Sequence, residues 1–443
     1  MVKEISDFNI FLEVLKDNNI SSNPFLSYEY ISNLATKIIP KKFICFVVEN
    51  EEKSVVGLLP LEKALGYWRI YGYRASNYLG VISQDGHEIE VLDEIEEYIT
   101  HNHKSMVICL YDINSSSKEY EMLHSEKKYK EVFLYACPAV DVNRPFDELF
   151  REKVNSSKKR AELKKFQKKM GLIGNVRMIN ITDQETFDDN RELVHQLFDV
   201  HRERFHTIYP PDDFCFYSNE AYYTQLLYSL ACNGDALISV LCIDNVVVSF
   251  LVTLVQREVI VDWMPAFDPA FSKYSVGNVH LKMFLEYLCK NPQYKILDFS
   301  KGTGTYKDRW SDFITDNYAY IRGFGNNPLI TIRTQIITAF FELKSLMRKK
   351  GYLEIIKEKR VNHYNKTHTS NHDYDNSYEI VFLDSKIDTS SDIEKFNYGD
   401  IRNAPIEVRK EAVDAIYSGS QVFLKRNDDA VLIQIVRGNG NAN

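Results

Sequence analysis

The sequence predicts an α/β protein with mixed (α+β) sheets, and three observations carry that prediction. Short runs rich in β-branched and aromatic residues, such as Phe43–Glu49, Ser105–Leu110 and Val259–Met264, read as buried strands. Segments with apolar residues at helical spacing, such as Ile5–Asp17 and Phe187–His206, fall between them. With 443 residues, 44% of them hydrophobic, the chain exceeds one core and divides into two or three units.

Residues up to about Asp141 form the first unit. The helix Ile5–Asp17 precedes a hairpin, Phe43–Glu49 and Val55–Leu61, that turns at Asn50–Ser54. A strand near Tyr67–Tyr71, an acidic helix Glu88–Thr100 and the strand Ser105–Leu110 complete it. The segment Arg151–Met170 is strongly basic and allows two readings. It is either a solvated helix face or a rim that attracts phosphate, with Lys158 and Arg160 nearest its start.

A second unit begins at Thr182. Its helix Phe187–His206 sets Leu193, Leu197 and Val200 on one face. The histidines of that helix do not share a face as i, i+4 ligands would, so no metal site is expected. Asp235–Asp244 and Asn245–Leu254 form a strand pair turning at Asp244–Asn245. The stretch Val259–Trp310 then reads as strand, loop, helix and strand. Ser275 can cap that helix, and Gly277 keeps Cβ atoms off its first turn. Free N–H groups at such a start suit a phosphate or pyrophosphate. Asp298 lies at the end of the second strand, ahead of Gly302, Gly304, Tyr306, Lys307 and Trp310.

Beyond Trp310 come a strand, Asn317–Gly323, and a basic amphipathic helix, Leu329–Lys350. Ile332, Ile336, Phe340, Leu343 and Met347 are expected on its buried face. Residues 361–377 are polar and read as a linker. Residues 378–443 read as a small αβ module with a strand (Ile380–Leu383), a helix (Pro405–Tyr417) and a hairpin (Gln421–Val436). That module is expected to be dispensable for the chemistry.

A net charge of −8 argues against general nucleic-acid binding. Seven scattered cysteines without CxxC spacing point to a reducing compartment. The first residues lack a signal-peptide core, and no apolar run reaches transmembrane length. A cytoplasmic location is expected.

Several pieces resemble a known family. "YSVG" opening a helix, then "LDFSKG" and "TYKDRW", resemble the CelD/BioF2-like branch of the GNAT acyltransferases. "NPFLSYEYI", "VVGLLPL", "GYRASNYLGVI", "SSKKRAELKKFQKKMG" and "VHRERFH" match in order, so the resemblance covers roughly Asn23 to Arg360. It implies tandem GNAT-like halves, as in FemAB-type aminoacyl transferases. The first, 1–145, is a degenerate copy that has lost cofactor binding and shapes the acceptor cleft. The second, 146–360, binds the acyl donor; the linker 361–377 and the appendage 378–443 follow.

The implied reaction is N-acyl transfer from acyl-CoA, or an acyl carrier protein, to the amine of a sugar. A nucleotide-linked amino sugar in surface-polysaccharide assembly is expected. The alternatives are an aminoacyl-tRNA-dependent transferase of FemAB type and a non-catalytic binding protein on the same scaffold. The donor would lie on Tyr274, Ser275, Val276, Gly277 and Asn278, with Met264 and Ala266 at a splayed strand where Pro265 removes a ladder donor. Asp298 is the first candidate for base or acceptor orienter, because its apolar neighbours would raise its pKa. Its other reading is a carboxylate paired with Lys307 or Arg309, or one capping the Ser300–Gly304 turn. Tyr306 is a candidate proton donor to the thiolate, and Lys307 a candidate anion binder. Asp262, His201, Arg204, Lys158, Arg160 and Trp310 are candidates for holding the acceptor. No metal or nucleic acid is expected, and a homodimer is left open.

Overall fold

The apolar runs assemble into one large mixed sheet. Residues 1–18, 20–21, 23–84, 86–206, 208, 214–302, 304–367, 378–383, 393–426 and 431–436 are described by a computed structural model. The first-half strands lie in the order Val2–Ile5, Phe43–Glu49, Val55–Lys63, Trp68–Ile70 and Met106–Asn114. The second half contributes Ile296–Asp298, Val259–Phe267, Val246–Gln256, Ala236–Ile243 and Val176–Ile181.

Two strands join these sets. Phe313–Phe324 follows the second half in sequence, yet it inserts antiparallel between Met106–Asn114 and Lys130–Asp141. Lys130–Asp141 then pairs antiparallel with Ile296–Asp298, setting Ala139 opposite Asp298. The sheet therefore runs unbroken from one half into the other.

Local sequence explains many element ends. Asp244 and Asn245 both take positive φ, 49° and 68°, which gives the hairpin turn its twist-matched form. The segment expected as one helix, 187–206, is two, Gln184–Asp189 and Arg191–Phe205. A capping box from Asp183 and Thr186 starts the first, and Asn190 ends it.

The helix Pro328–Lys349 departs from expectation in its orientation. Ile330, Ile337 and Phe341 are its buried apolar side chains, packed in the first-half core. Ile332, Ile336, Phe340 and Leu343, expected inside, are 49–64% exposed. The helical period was legible, but two apolar stripes lie on this helix and the bulkier one faces outward. A second helix, Tyr352–Thr367, occupies the first residues of the expected linker. The rest of that linker, 368–377, lies outside the described residues.

The C-terminal module forms its own sheet, in the order Tyr378–Leu383, Val431–Val436, Gln421–Arg426 and Ile393–Lys395, with the helix Ile406–Ser418. Its core is continuous with that of the second half: Tyr398, Ile401 and Val413 share one buried cluster with Phe271, Val276 and Phe284. Asp268 anchors the junction. Its Oδ2 accepts from Tyr398 Oη at 2.5 Å and from Arg409 Nη1 at 2.7 Å. Arg402 and Arg409 also pair with Glu203 on the Arg191–Phe205 helix, at 2.9 Å and 2.8 Å. Burial pushes the Asp268 carboxyl up, but Arg409, Arg402 and Tyr398 outweigh it and hold it below the usual range.

Candidate active site

The site is built where two parallel strands part. Val259–Val261 pair in parallel with Ile296–Asp298, and the pairing ends at Val261 and Asp298. The first strand continues to Phe267 against its other neighbour, Val246–Gln256. There Val252 faces Met264 and Thr253 faces Asp262, so Trp263 is an extra, bulged residue. Pro265 follows with no N–H. Bulge and lost partner together leave the backbone after Asp262 open on one side.

That opening meets a cavity of about 1190 Å³ between the halves. The second half lines it with Asp262, Trp263, Met264, Pro265, Ser300 and Lys307. The first half supplies Arg74, Asn77, Tyr111, Asp112 and Tyr135. The helices after the sheet add Lys344, Arg348, Lys349 and Lys357. Cations outnumber carboxylates on these walls, which favours an anionic ligand.

Two carboxylates sit at the parting point in different states. Asp298 is buried, and both its oxygens are taken: Oδ2 accepts from Tyr78 Oη at 2.8 Å and Oδ1 from the Ser300 N–H at 2.6 Å. Burial pushes its pKa up to about 6, against the opposing pull of Tyr78, the Ser300 N–H and Lys307. Asp262 is also buried, but its Oδ1 has no hydrogen-bond partner. Burial, aided by the charge of Asp298 and opposed by Lys307, raises Asp262 to about 7. Of the two, Asp262 lines the cavity.

The other expected residues divide. Lys307 donates to the carbonyls of Phe299 and Lys301, at 2.6 Å and 3.1 Å, so its ammonium is held at the cavity wall by backbone oxygens. Tyr306 stands edge-on to Phe299, and burial with the charge of Asp262 raises its pKa. Met264 lines the cavity, while Ala266 is buried and accepts from Ser249 Oγ. Trp310 is fully buried and stacked on Phe150, outside the cavity lining.

Ser275 does not cap its helix. It takes the left-handed conformation, φ 53°, and no side-chain hydrogen bond reaches the helix Val276–Lys290 from it. The first N–H groups are thereby left without a side-chain acceptor. Tyr274 is stacked on Tyr417 with ring centroids 3.6 Å apart, and its hydroxyl donates to Asp414 at 2.6 Å. Val276 is buried. A Cβ on Gly277 would come within 3.1 Å of the Phe267 ring. Arg204 lies over the same Phe267, 4.9 Å from its centroid, which brings a guanidinium to the neighbourhood of this helix start. Asn278 has an unpartnered buried Oδ1.

His201 packs among Phe205, Phe216 and Tyr217, and burial lowers its pKa to about 3, so it is neutral. Lys158 is exposed on the Ser157–Met170 helix, and Arg160 donates to the Val154 carbonyl at 2.5 Å. Neither lines the cavity.

Sequence reasoning expected the first half to shape the acceptor cleft but named none of the residues that line it. Tyr135 donates to Asp112, which has positive φ, 62°, and is raised to about 6 by burial against Lys301 and Tyr135. Asn77 donates to Ser300 Oγ at 2.9 Å, tying the first half to the turn after Asp298. The Asn77–Tyr78 pair sits inside a segment already singled out, but no local spacing pairs it with residues 298–300.

Comparisons with known proteins bear on the fold. Residues 157–308 match the family described as acetyltransferase (GNAT) domain. The structure of FemX aligns with a TM-score of 0.50 and 11% identity, covering 75% of this chain and 100% of that one. The C-terminal domain of a lysylphosphatidylglycerol synthetase candidate from Agrobacterium fabrum aligns with a TM-score of 0.49 and 11% identity, covering 75% and 96%. No curated protein matches the sequence. At such identities the FemX likeness shows a shared fold. The chain has a mixed α/β fold in which residues 157–308 are similar to a GNAT acetyltransferase domain, and that match supports an N-acyltransferase.

Proposed function

We propose that this protein moves an acyl group from acyl-CoA to the amine of an anionic acceptor, and that Asp262 takes the amine's proton. The supporting observation is Asp262 itself: cavity-facing, with an unpartnered oxygen and a pKa near 7, where the two strands part. The acceptor ammonium loses its proton to Asp262, and the free amine attacks the thioester carbonyl carbon. The C–N bond forms, the C–S bond breaks, the electron pair leaves with sulfur, and the remaining surplus proton on nitrogen restores the one that Tyr306 gives to the thiolate. Open backbone near Trp263 and Met264 polarises the carbonyl. Tyr306, kept protonated by burial and by Asp262, is the candidate donor to the thiolate.

In this reading the pyrophosphate of CoA rests at the start of the Val276–Lys290 helix, beside Arg204. The cations Arg74, Lys301, Lys344 and Arg348 suit a phosphate-bearing acceptor such as a nucleotide-linked amino sugar. Its place in surface-polysaccharide assembly follows from the family resemblance alone, and a cytoplasmic location from the unpatterned cysteines. Aminoacyl-tRNA as donor is the second reading, favoured by the same cation-rich walls.

Calorimetry with CoA, acetyl-CoA and an aminoacyl-tRNA tests the assignment. CoA and acetyl-CoA should bind and the RNA should not. Absence of CoA binding by a folded chain would overturn the donor, and RNA binding in its place would establish the second reading.

A further inference from the structure

The helices Pro328–Lys349 and Tyr352–Thr367 carry an apolar stripe that no other described residues cover. Leu329, Ile332, Ile336, Phe340, Leu343 and Leu346 recur at intervals of three or four and are 48–64% exposed. Ile355 and Ile356 of the second helix are exposed as well. Exposed aliphatics in one contiguous row mark a binding surface rather than ordinary scatter.

The charge around the stripe identifies the partner. Residues 328–367 hold nine lysines and arginines against three glutamates, and five of the nine lie outside the cavity lining, in a chain whose net charge is −8. A second copy seated on this stripe would bring two cationic rims together. A nucleic acid would take the cations and leave the aliphatic side chains in water. An anionic lipid surface takes both, with apolar side chains in the acyl boundary and cations on the headgroups. No helix of the described residues is long and apolar enough to cross a membrane, so the attachment is peripheral.

We propose that this helix pair seats the protein on an anionic lipid bilayer. Lys344, Arg348, Lys349 and Lys357 of the same helices line the cavity, so seating would bring the cavity beside the headgroups. The proposal stands independently of which donor or acceptor the cavity takes.

Vesicle co-sedimentation of the full chain tests it, using phosphatidylcholine alone and phosphatidylcholine with about one third phosphatidylglycerol. The protein should sediment with the anionic vesicles only, and high salt should release it. The double variant Ile336→Ser, Phe340→Ser alters two exposed side chains, so its fold should persist while vesicle affinity falls at least tenfold. Wild-type protein that stays in solution with anionic vesicles would overturn the proposal, as would a double variant that sediments like wild type. A wild-type dimer in sedimentation velocity that the same variant dissociates would assign the stripe to a second copy instead. Loss of tRNA binding in that variant, with vesicle binding unaffected, would assign it to RNA.

Discussion

Tyr78, from the first half of the chain, donates a hydrogen bond of 2.8 Å to Asp298 at the tip of a second-half strand. The contact fixes one carboxylate of the site from across the inter-half junction. Tyr78→Phe leaves a buried carboxylate with one donor fewer and should cost about 1–3 kcal/mol. The loss should be largest above pH 6, where Asp298 is ionised, and smaller at pH 5. Urea denaturation at the two pH values measures it; equal losses at both would show that ionised Asp298 does not depend on Tyr78.

Asp262→Asn should lower turnover by roughly a hundredfold or more, the usual effect of removing a positioned base. A base must be ionised, so wild-type turnover should rise with pH through about 7 and the variant should lose that limb. Asp298→Asn should have the smaller effect, since both Asp298 oxygens are already engaged. A larger loss in Asp298→Asn, with a limb near pH 6, would return the role of base to Asp298.

The same Asp262→Asn change should stabilise the fold. Its folded pKa lies above the unfolded value, so wild-type stability is intact below about pH 4 and is lost as pH rises through 7. The variant's gain in melting temperature should therefore be near zero at pH 4 and greatest at pH 8. A gain independent of pH would show that burial of the charge is not its source.

Arg409→Met should detach the C-terminal module from its anchor. It leaves Asp268 buried without its closest cation, a loss of about 3–5 kcal/mol for broken buried pairs. Asp268 is held below its usual range, so the loss is present above about pH 4 and shrinks as the pH falls. A chain ending near Arg360 should lose stability similarly, because Tyr398 and Arg402 go with it. Thermal melting of either chain at wild-type temperature would show that the module is independent.

Gly277→Asp should weaken CoA binding at least tenfold, or about 1.4 kcal/mol, by setting a carboxylate at the helix start. Because a Cβ meets Phe267 at 3.1 Å, Gly277→Ala separates shape from charge and should weaken binding less. Equal affinities for all three proteins in calorimetry would place the pyrophosphate elsewhere.

The sequence by itself determined the alternation of strands and helices, the Asp244–Asn245 hairpin turn and the strand–helix–strand unit from Val259 to Asp298. Those features depend on neighbours within a few residues, where periodicity and backbone preference act. It also identified Asp298 at a strand end, and Asp262 and Lys307 as candidate site groups. Tertiary structure decided which of them meets the cavity, because hydrogen bonding by Tyr78 and Ser300 leaves Asp298 engaged while Asp262 keeps an open oxygen. It also decided the place of Phe313–Phe324, which crosses back into the first half's sheet, and the partner of Lys130–Asp141, whose Pro138 and weak alternation hide a strand. The outward turn of Ile336 and Phe340 belongs with these. Helical spacing shows that a stripe exists, but only the position of the sheet determines which stripe is buried.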